Sequence, residues 1–158
     1  MEEIGCLYSM QEPLRRILSM NEKTAGFGLT LTEEDAQRLA ESRRNVLREQ
    51  RRVEFGEGIL PKLIGAFMDS PFLDQGQYVE TLERLQEMFY AYKNESSDIL
   101  SDDELLALMA EAFNGVCQGS LDYLEETVLD SFARDIRRKG ERFLREQLRR
   151  RGAEDARL

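Results

Sequence analysis

The chain has 158 residues and a formal net charge of −9, and 41% of its residues are apolar and 34% are charged. A chain of this length can bury about 70% of its unfolded surface in one domain, so the composition excludes an intrinsically disordered protein. Histidine is absent, which removes the commonest general base and the commonest metal ligand.

The first half of the chain contains three predicted helices, because apolar residues recur there at helical spacing between glycine and proline breakers. The first covers about residues 12–24. The second starts after the capping residue Thr32 and carries apolar residues inward as far as Val53. The third begins near Gly58 and stops before Ser70, which precedes a proline.

The second half contains three more predicted helices. The fourth has an apolar face from Tyr78 to Tyr92, and Tyr90 falls outside that face. The fifth opens with a capping box at Ser101 and turns Val116 inward. The pattern of the sixth permits it to continue past Gly140. Its predicted core face consists of Leu121, Leu124, Val128, Phe132 and Ile136.

These elements predict an all-α fold, either a helical bundle or an orthogonal array of about six helices. We expect a single helical domain over residues 1–151 and a flexible C-terminal tail over residues 152–158.

The absence of a membrane-spanning run and of a secretory signal predicts a cytoplasmic protein. The apolar runs are far shorter than the roughly 20 residues of a membrane-spanning helix, and two acids follow Met1 where a secretory signal would be basic. Cys6 and Cys117 lie far apart and form no CxxC pair, so we interpret them as buried or idle thiols.

Three segments resemble known proteins: residues 21–29, residues 52–56 and residues 119–124. The chain resembles, over nearly its whole length, a family of uncharacterised bacterial all-helical proteins. The segments are turns and caps, so the resemblance implies a helical fold. It implies no catalytic or ligand-binding residues.

Charge is segregated along the chain. Residues 54–133 contain three basic and seventeen acidic residues, whereas residues 134–158 contain ten basic and five acidic residues. On a continuous sixth helix, five arginines fall within about 80° of one another, on the side away from Phe132 and Ile136. We name this candidate interaction surface the arginine stripe: Arg134, Arg138, Arg142, Arg145 and Arg149.

The arginine stripe has three interpretations. It could bind an acidic protein surface, including a second copy of this chain, because guanidinium groups pair well with carboxylates. It could bind nucleic-acid phosphates, although the acidic remainder of the chain disfavours a polyanion. It could also be a solvated face. Acids four residues before a base favour ion pairs within the helix, and such pairs are Asp130–Arg134, Asp135–Lys139 and Glu141–Arg145.

The sequence contains no GxGxxG, GxxxxGK[ST] or HExxH motif. We therefore assign no catalytic, cofactor-binding or metal-binding residue, and we interpret the chain as a non-enzymatic module that binds another protein or itself. Nucleic-acid binding through the arginine stripe is the alternative, and no membrane partner is expected. A carboxylate-dependent enzyme is a weaker alternative, since Asp and Glu residues could converge in a cleft.

The absence of histidine and of paired cysteines generates the first prediction. We expect the purified protein to hold no stoichiometric zinc or other transition metal, because the ligands that bind these metals best are missing. Elemental analysis measures this directly. A content near one equivalent of metal per chain would contradict it.

Overall fold

The computed structural model describes residues 14–54, 58–96 and 98–156, with the side chains in those ranges except 139–144, 147 and 151–156. Residues 14–19 form α1. The other helices are α2 (Asn21–Thr24), α3 (Glu33–Glu49), α4 (Leu60–Phe67), α5 (Tyr78–Glu95), α6 (Asp102–Asn114), α7 (Leu121–Tyr123) and α8 (Asp130–Ala156). A π-helical turn, Leu124–Leu129, joins α7 to α8. The described residues contain no strand, so the predicted all-α fold is confirmed.

Capping boxes start α3 and α6, at Thr32 and Ser101, the two positions where the sequence predicted a cap. The Asp35 amide donates to Thr32 Oγ1 at 3.1 Å, and the Thr32 amide donates to Asp35 Oδ2 at 3.0 Å. At α6, Ser101 and Glu104 make the equivalent pair of bonds. Each box satisfies two of the amides that a helix start leaves without partners, which explains why both boundaries could be read from the sequence.

The end of α3 corrects a prediction. The helix stops at Glu49, and Arg51 adopts a left-handed conformation with φ of 55°. Val53, which was predicted to face inward on this helix, lies beyond its end and is 79% exposed. The apolar periodicity continued past the point where the backbone leaves the helix.

Helix α5 occupies the centre of the fold, because α3, α4, α6 and α7 all contact it. Its predicted core face is buried from Tyr78 to Phe89 and partly buried at Tyr92. Tyr90 is also buried, at 0% exposure. Tyr90 was predicted to lie outside that face. It is buried because α3 covers a second side of α5, where the Gln86 side-chain amide donates to Leu39 O. A helix covered on several sides buries residues outside a single stripe.

Polar contacts hold the corner between α5 and α6. The buried Lys93 ammonium group donates to Leu100 O and lies 3.0 Å from Asp102 Oδ1. Arg52, from the segment after α3, donates to Asn94 Oδ1 at 2.6 Å and to Asp98 Oδ1 at 2.9 Å. These bonds compensate the cost of burying charged groups.

The π turn decides which residues of the last helix reach the core. Leu124 and Leu129 are both fully buried, and Ala133 and Ile136 continue the buried face at ordinary helical spacing. In an uninterrupted α-helix, side chains five residues apart point about 140° away from each other. The wider turn adds one residue and brings both leucines to the same side.

The predicted core face of this helix is therefore wrong by one residue at two positions. Val128 and Phe132 are only partly buried, and Leu129 and Ala133 take the core positions instead. The helix does continue through Gly140 to Ala156, past residue 152, where the tail was predicted to begin.

The position of the π turn generates a stability prediction. Leu129→Ala should lower the free energy of unfolding by about 2–5 kcal/mol, because it leaves a cavity in the core. Val128→Ala should lower it by less than about 1.5 kcal/mol, because that side chain is only partly buried. Urea denaturation of the two variants checks this. A larger loss at Val128 than at Leu129 would support the uninterrupted helix that the sequence predicted.

Candidate functional site

The arginine stripe does not form one exposed surface, because Arg134 and Arg145 are bound to carboxylates of the same chain. Arg138 and Arg149 are exposed. Arg134 donates from Nε to Asp130 Oδ2 at 3.1 Å, which confirms one predicted ion pair. The side chain of Arg142 and the predicted pairs Asp135–Lys139 and Glu141–Arg145 lie, wholly or in part, outside the described side chains.

Arg145 points into the fold. Its Nη1 donates to both carboxylate oxygens of Glu104 at 3.0 Å, and its Nη2 donates to Ile99 O at 2.5 Å. The pKa of Glu104 is lowered, chiefly because the Ser101 amide donates to it and further because Arg145 lies beside it. Arg145 therefore anchors α8 to the first turn of α6.

A groove lies between α6 and the first part of α8. Its volume is about 500 Å³, and it is partly open to solvent. The two helices run antiparallel, since Arg145 reaches the start of α6 whereas the groove lies along the end of that helix. The apolar lining consists of Leu108, Ala112, Val116, Val128 and Phe132, and the polar side chains are Glu111, Thr127, Ser131 and Asp135.

Sequence reasoning missed this groove because it assigned its main apolar residues to the core. Val116 was predicted to face inward on a continuous fifth helix, but α6 ends at Asn114, and Val116 is 64% exposed. Val128 and Phe132 were assigned to the core of the last helix. The signal that could have corrected this is the five-residue spacing of Leu124 and Leu129, which no α-helix places on one face.

The polar part of the groove is negative. Glu111 and Asp135 contribute carboxylates from its two walls. The last turn of α6 contains no basic residue, so the negative end of its dipole has no cationic side chain in that turn. The groove therefore combines apolar side chains with carboxylate groups on both walls.

A second cleft, of about 280 Å³, lies between α3 and α5. Its walls bring together Glu41, Glu49, Glu83 and Glu87, which is the kind of convergence that the carboxylate-enzyme alternative requires. Partial burial raises the pKa of Glu87, and the neighbouring carboxylates of Glu83 and Glu49 raise it further. Glu83 already has an ion-pair partner, because Arg38 Nη2 lies 2.6 Å from Glu83 Oε1. Arg38 also forms an ion pair with Glu80. No three Asp, Glu or Cys side chains of the described residues are placed to hold a metal ion.

Cys117 is a buried free thiol. Burial raises its pKa, so it is protonated and a weak nucleophile at neutral pH. This agrees with its interpretation as an idle thiol. Cys6 lies outside the described residues.

The segments that carried the family resemblance have structural roles. Asn21 bonds both the amide and the carbonyl of Leu31 through its side chain. The Thr24 hydroxyl donates to Leu29 O at 2.7 Å. Gly119 has φ of +82° and lies against Phe72, where a Cβ atom would clash. These residues shape turns and contribute no group to the groove.

Within the arginine stripe, the bound Arg145 and the exposed Arg138 should differ in their contribution to stability. Arg145→Ala should lower the free energy of unfolding by about 1–3 kcal/mol, because Glu104 and Ile99 O lose a charged donor. Arg138→Ala, the control, should change it by less than about 0.5 kcal/mol, because that side chain is exposed. Thermal or urea denaturation measures both. Equal effects would show that Arg145 does not anchor α8.

Comparison with known proteins identifies a family over most of the chain. Residues 16–142 match a family of unknown function, DUF6323. No curated protein and no solved structure matches. In the described part of the chain, no helix has both the length and the apolar content needed to cross a membrane. The match covers every groove residue but not Arg145 or Arg149. The chain belongs to the DUF6323 family, as its resemblance to an uncharacterised helical family had implied.

Proposed function

We propose that this chain is a non-enzymatic protein-interaction module that binds one amphipathic helix of a partner protein in the groove between α6 and α8. The observation that carries the proposal is the partly exposed apolar lining of that groove, with the exposed Val116 at its edge and the partly buried Phe132 along its wall. When a partner covers apolar surface that was in contact with water, the free energy of binding becomes more favourable by about 25 cal/mol per Å².

The shape of the groove favours a helix as the occupant. Its two walls are antiparallel helices, and a third helix that lies between them packs its apolar side chains into the space. A volume of about 500 Å³ is enough for a few large side chains. Such a partner would present apolar residues three and four positions apart.

The charge of the groove specifies the partner further. Asp135 lies beside the apolar lining, and a lysine or arginine beside the partner's apolar face would pair with it. We therefore expect a partner helix with a basic flank.

The arginine stripe supports a nucleic-acid ligand less well. Arg145 is bound to Glu104 and Arg134 to Asp130, so two of the five guanidinium groups already have carboxylate partners. The net charge of −9 opposes the approach of a polyanion. A protein partner remains the proposal. We also propose a cytoplasmic location, where a buried thiol such as Cys117 stays reduced.

A model peptide tests the proposed function. A helical peptide of leucine and lysine, with all leucines on one face, should bind the chain and shift the amide resonances of the groove residues. A peptide with glutamate in place of lysine should bind at least about tenfold more weakly, a difference of about 1.4 kcal/mol. Val116→Lys should weaken binding of the lysine peptide by a similar factor, because it removes an apolar contact and places a like charge beside the peptide.

The control is Val53→Lys, which changes another exposed valine, in the segment after α3, and should leave binding unchanged. Equal binding by both variants would contradict the proposal. Salt-sensitive binding of duplex DNA that Arg138→Glu abolishes would favour the nucleic-acid alternative.

A further inference from the structure

The π turn contains one residue more than the core needs. Its six residues, Leu124–Leu129, place two fully buried leucines at its ends. A segment with one residue fewer would separate these leucines by four positions. Ordinary α-helical spacing would then bury both of them, with α8 in the same phase. The packing of the core therefore accounts for the phase of α8 but not for the extra residue.

The extra residue widens the backbone at the wall of the groove. Thr127 and Val128, both within the π turn, line the groove together with Phe132. π turns are rare, and they occur often at functional sites. Here the irregular backbone and the partly buried apolar lining coincide.

A tyrosine from the central helix holds the π turn in place. The Tyr92 hydroxyl donates to Glu125 O at 3.0 Å. The bond connects the carbonyl of a π-turn residue to α5, the helix that α3, α4, α6 and α7 all contact. Burial raises the pKa of Tyr92, and nearby Asp130 and Glu125 raise it further, so the hydroxyl keeps its proton at neutral pH.

We propose that the π turn is the recognition element of the groove, that Thr127 and Val128 contact the partner helix, and that Tyr92 is the residue that positions them. This inference rests on the proposed function, because it assigns residues to the site that binds the partner. In this proposal the extra residue serves binding, and it makes the backbone of the last helix less regular.

Removal of one residue tests the proposal. A variant that lacks Glu126, an exposed residue of the turn, should fold with a melting temperature equal to or above that of the unchanged chain, because the turn becomes α-helical. It should bind the leucine–lysine peptide at least about tenfold more weakly. Glu126→Ala, the matched control, removes the same side chain but keeps the length, and it should bind as the unchanged chain does.

The outcomes separate the two proposals. If the unchanged chain does not bind the peptide, the proposed function fails, and this inference fails with it. If the unchanged chain and the deletion variant bind equally well, only the present inference is overturned. A deletion variant that does not fold also overturns it, because the core would then require the extra residue.

Tyr92→Phe provides a second readout, which does not depend on the deletion. Loss of the hydroxyl should accelerate amide exchange within residues 124–129 and weaken peptide binding, while most of the fold stays protected. Tyr123→Phe is the control, because Tyr123 is a largely exposed tyrosine next to the turn. Equal exchange and equal binding in the two variants would show that Tyr92 does not position the turn.

Discussion

The burial of α5 is the constraint on which the rest of the structure depends. This helix contacts α3, α4, α6 and α7, and it buries Tyr90 and Gln86 as well as its main apolar face. A helix that is enclosed on several sides has no solvated face wide enough to absorb a shift in register. Each neighbouring helix must therefore turn its apolar side toward α5.

The last helix turns its apolar side toward the core because the π turn changes the winding of its backbone. From Leu124, a regular helix would direct Asp135 to within about 20° of the core and Ile136 away from it. Burial of an unpartnered carboxylate would cost several kcal/mol. The π turn removes this conflict, buries Leu129 and Ile136, and leaves Asp135 at the groove. One irregular turn thus decides both the composition of the core and the composition of the site.

The basic end of the chain has a mixed role in the structure. Arg145 binds Glu104 and the carbonyl of Ile99, and Arg137 lies 3.1 Å from Glu95 Oε2 at the end of α5. These cations connect α8 to the acidic corner between α5 and α6. The segregation of charge along the sequence therefore serves in part to hold the last helix against the bundle. The apolar groove, rather than the arginines, is the surface that we propose for a partner.

The sequence by itself determined the helical class, the starts of α3 and α6, and the core face of α5, because caps and helical periodicity are local properties of the chain. Tertiary structure decided the rest. Tyr90 is buried because α3 covers it, and Arg145 is engaged because the first turn of α6 lies beside it. Val128 and Phe132 line a groove because Leu129 occupies the core position instead. Apolar residues at adjacent positions are equivalent in a periodic pattern, and only the packing of neighbouring helices distinguishes between them.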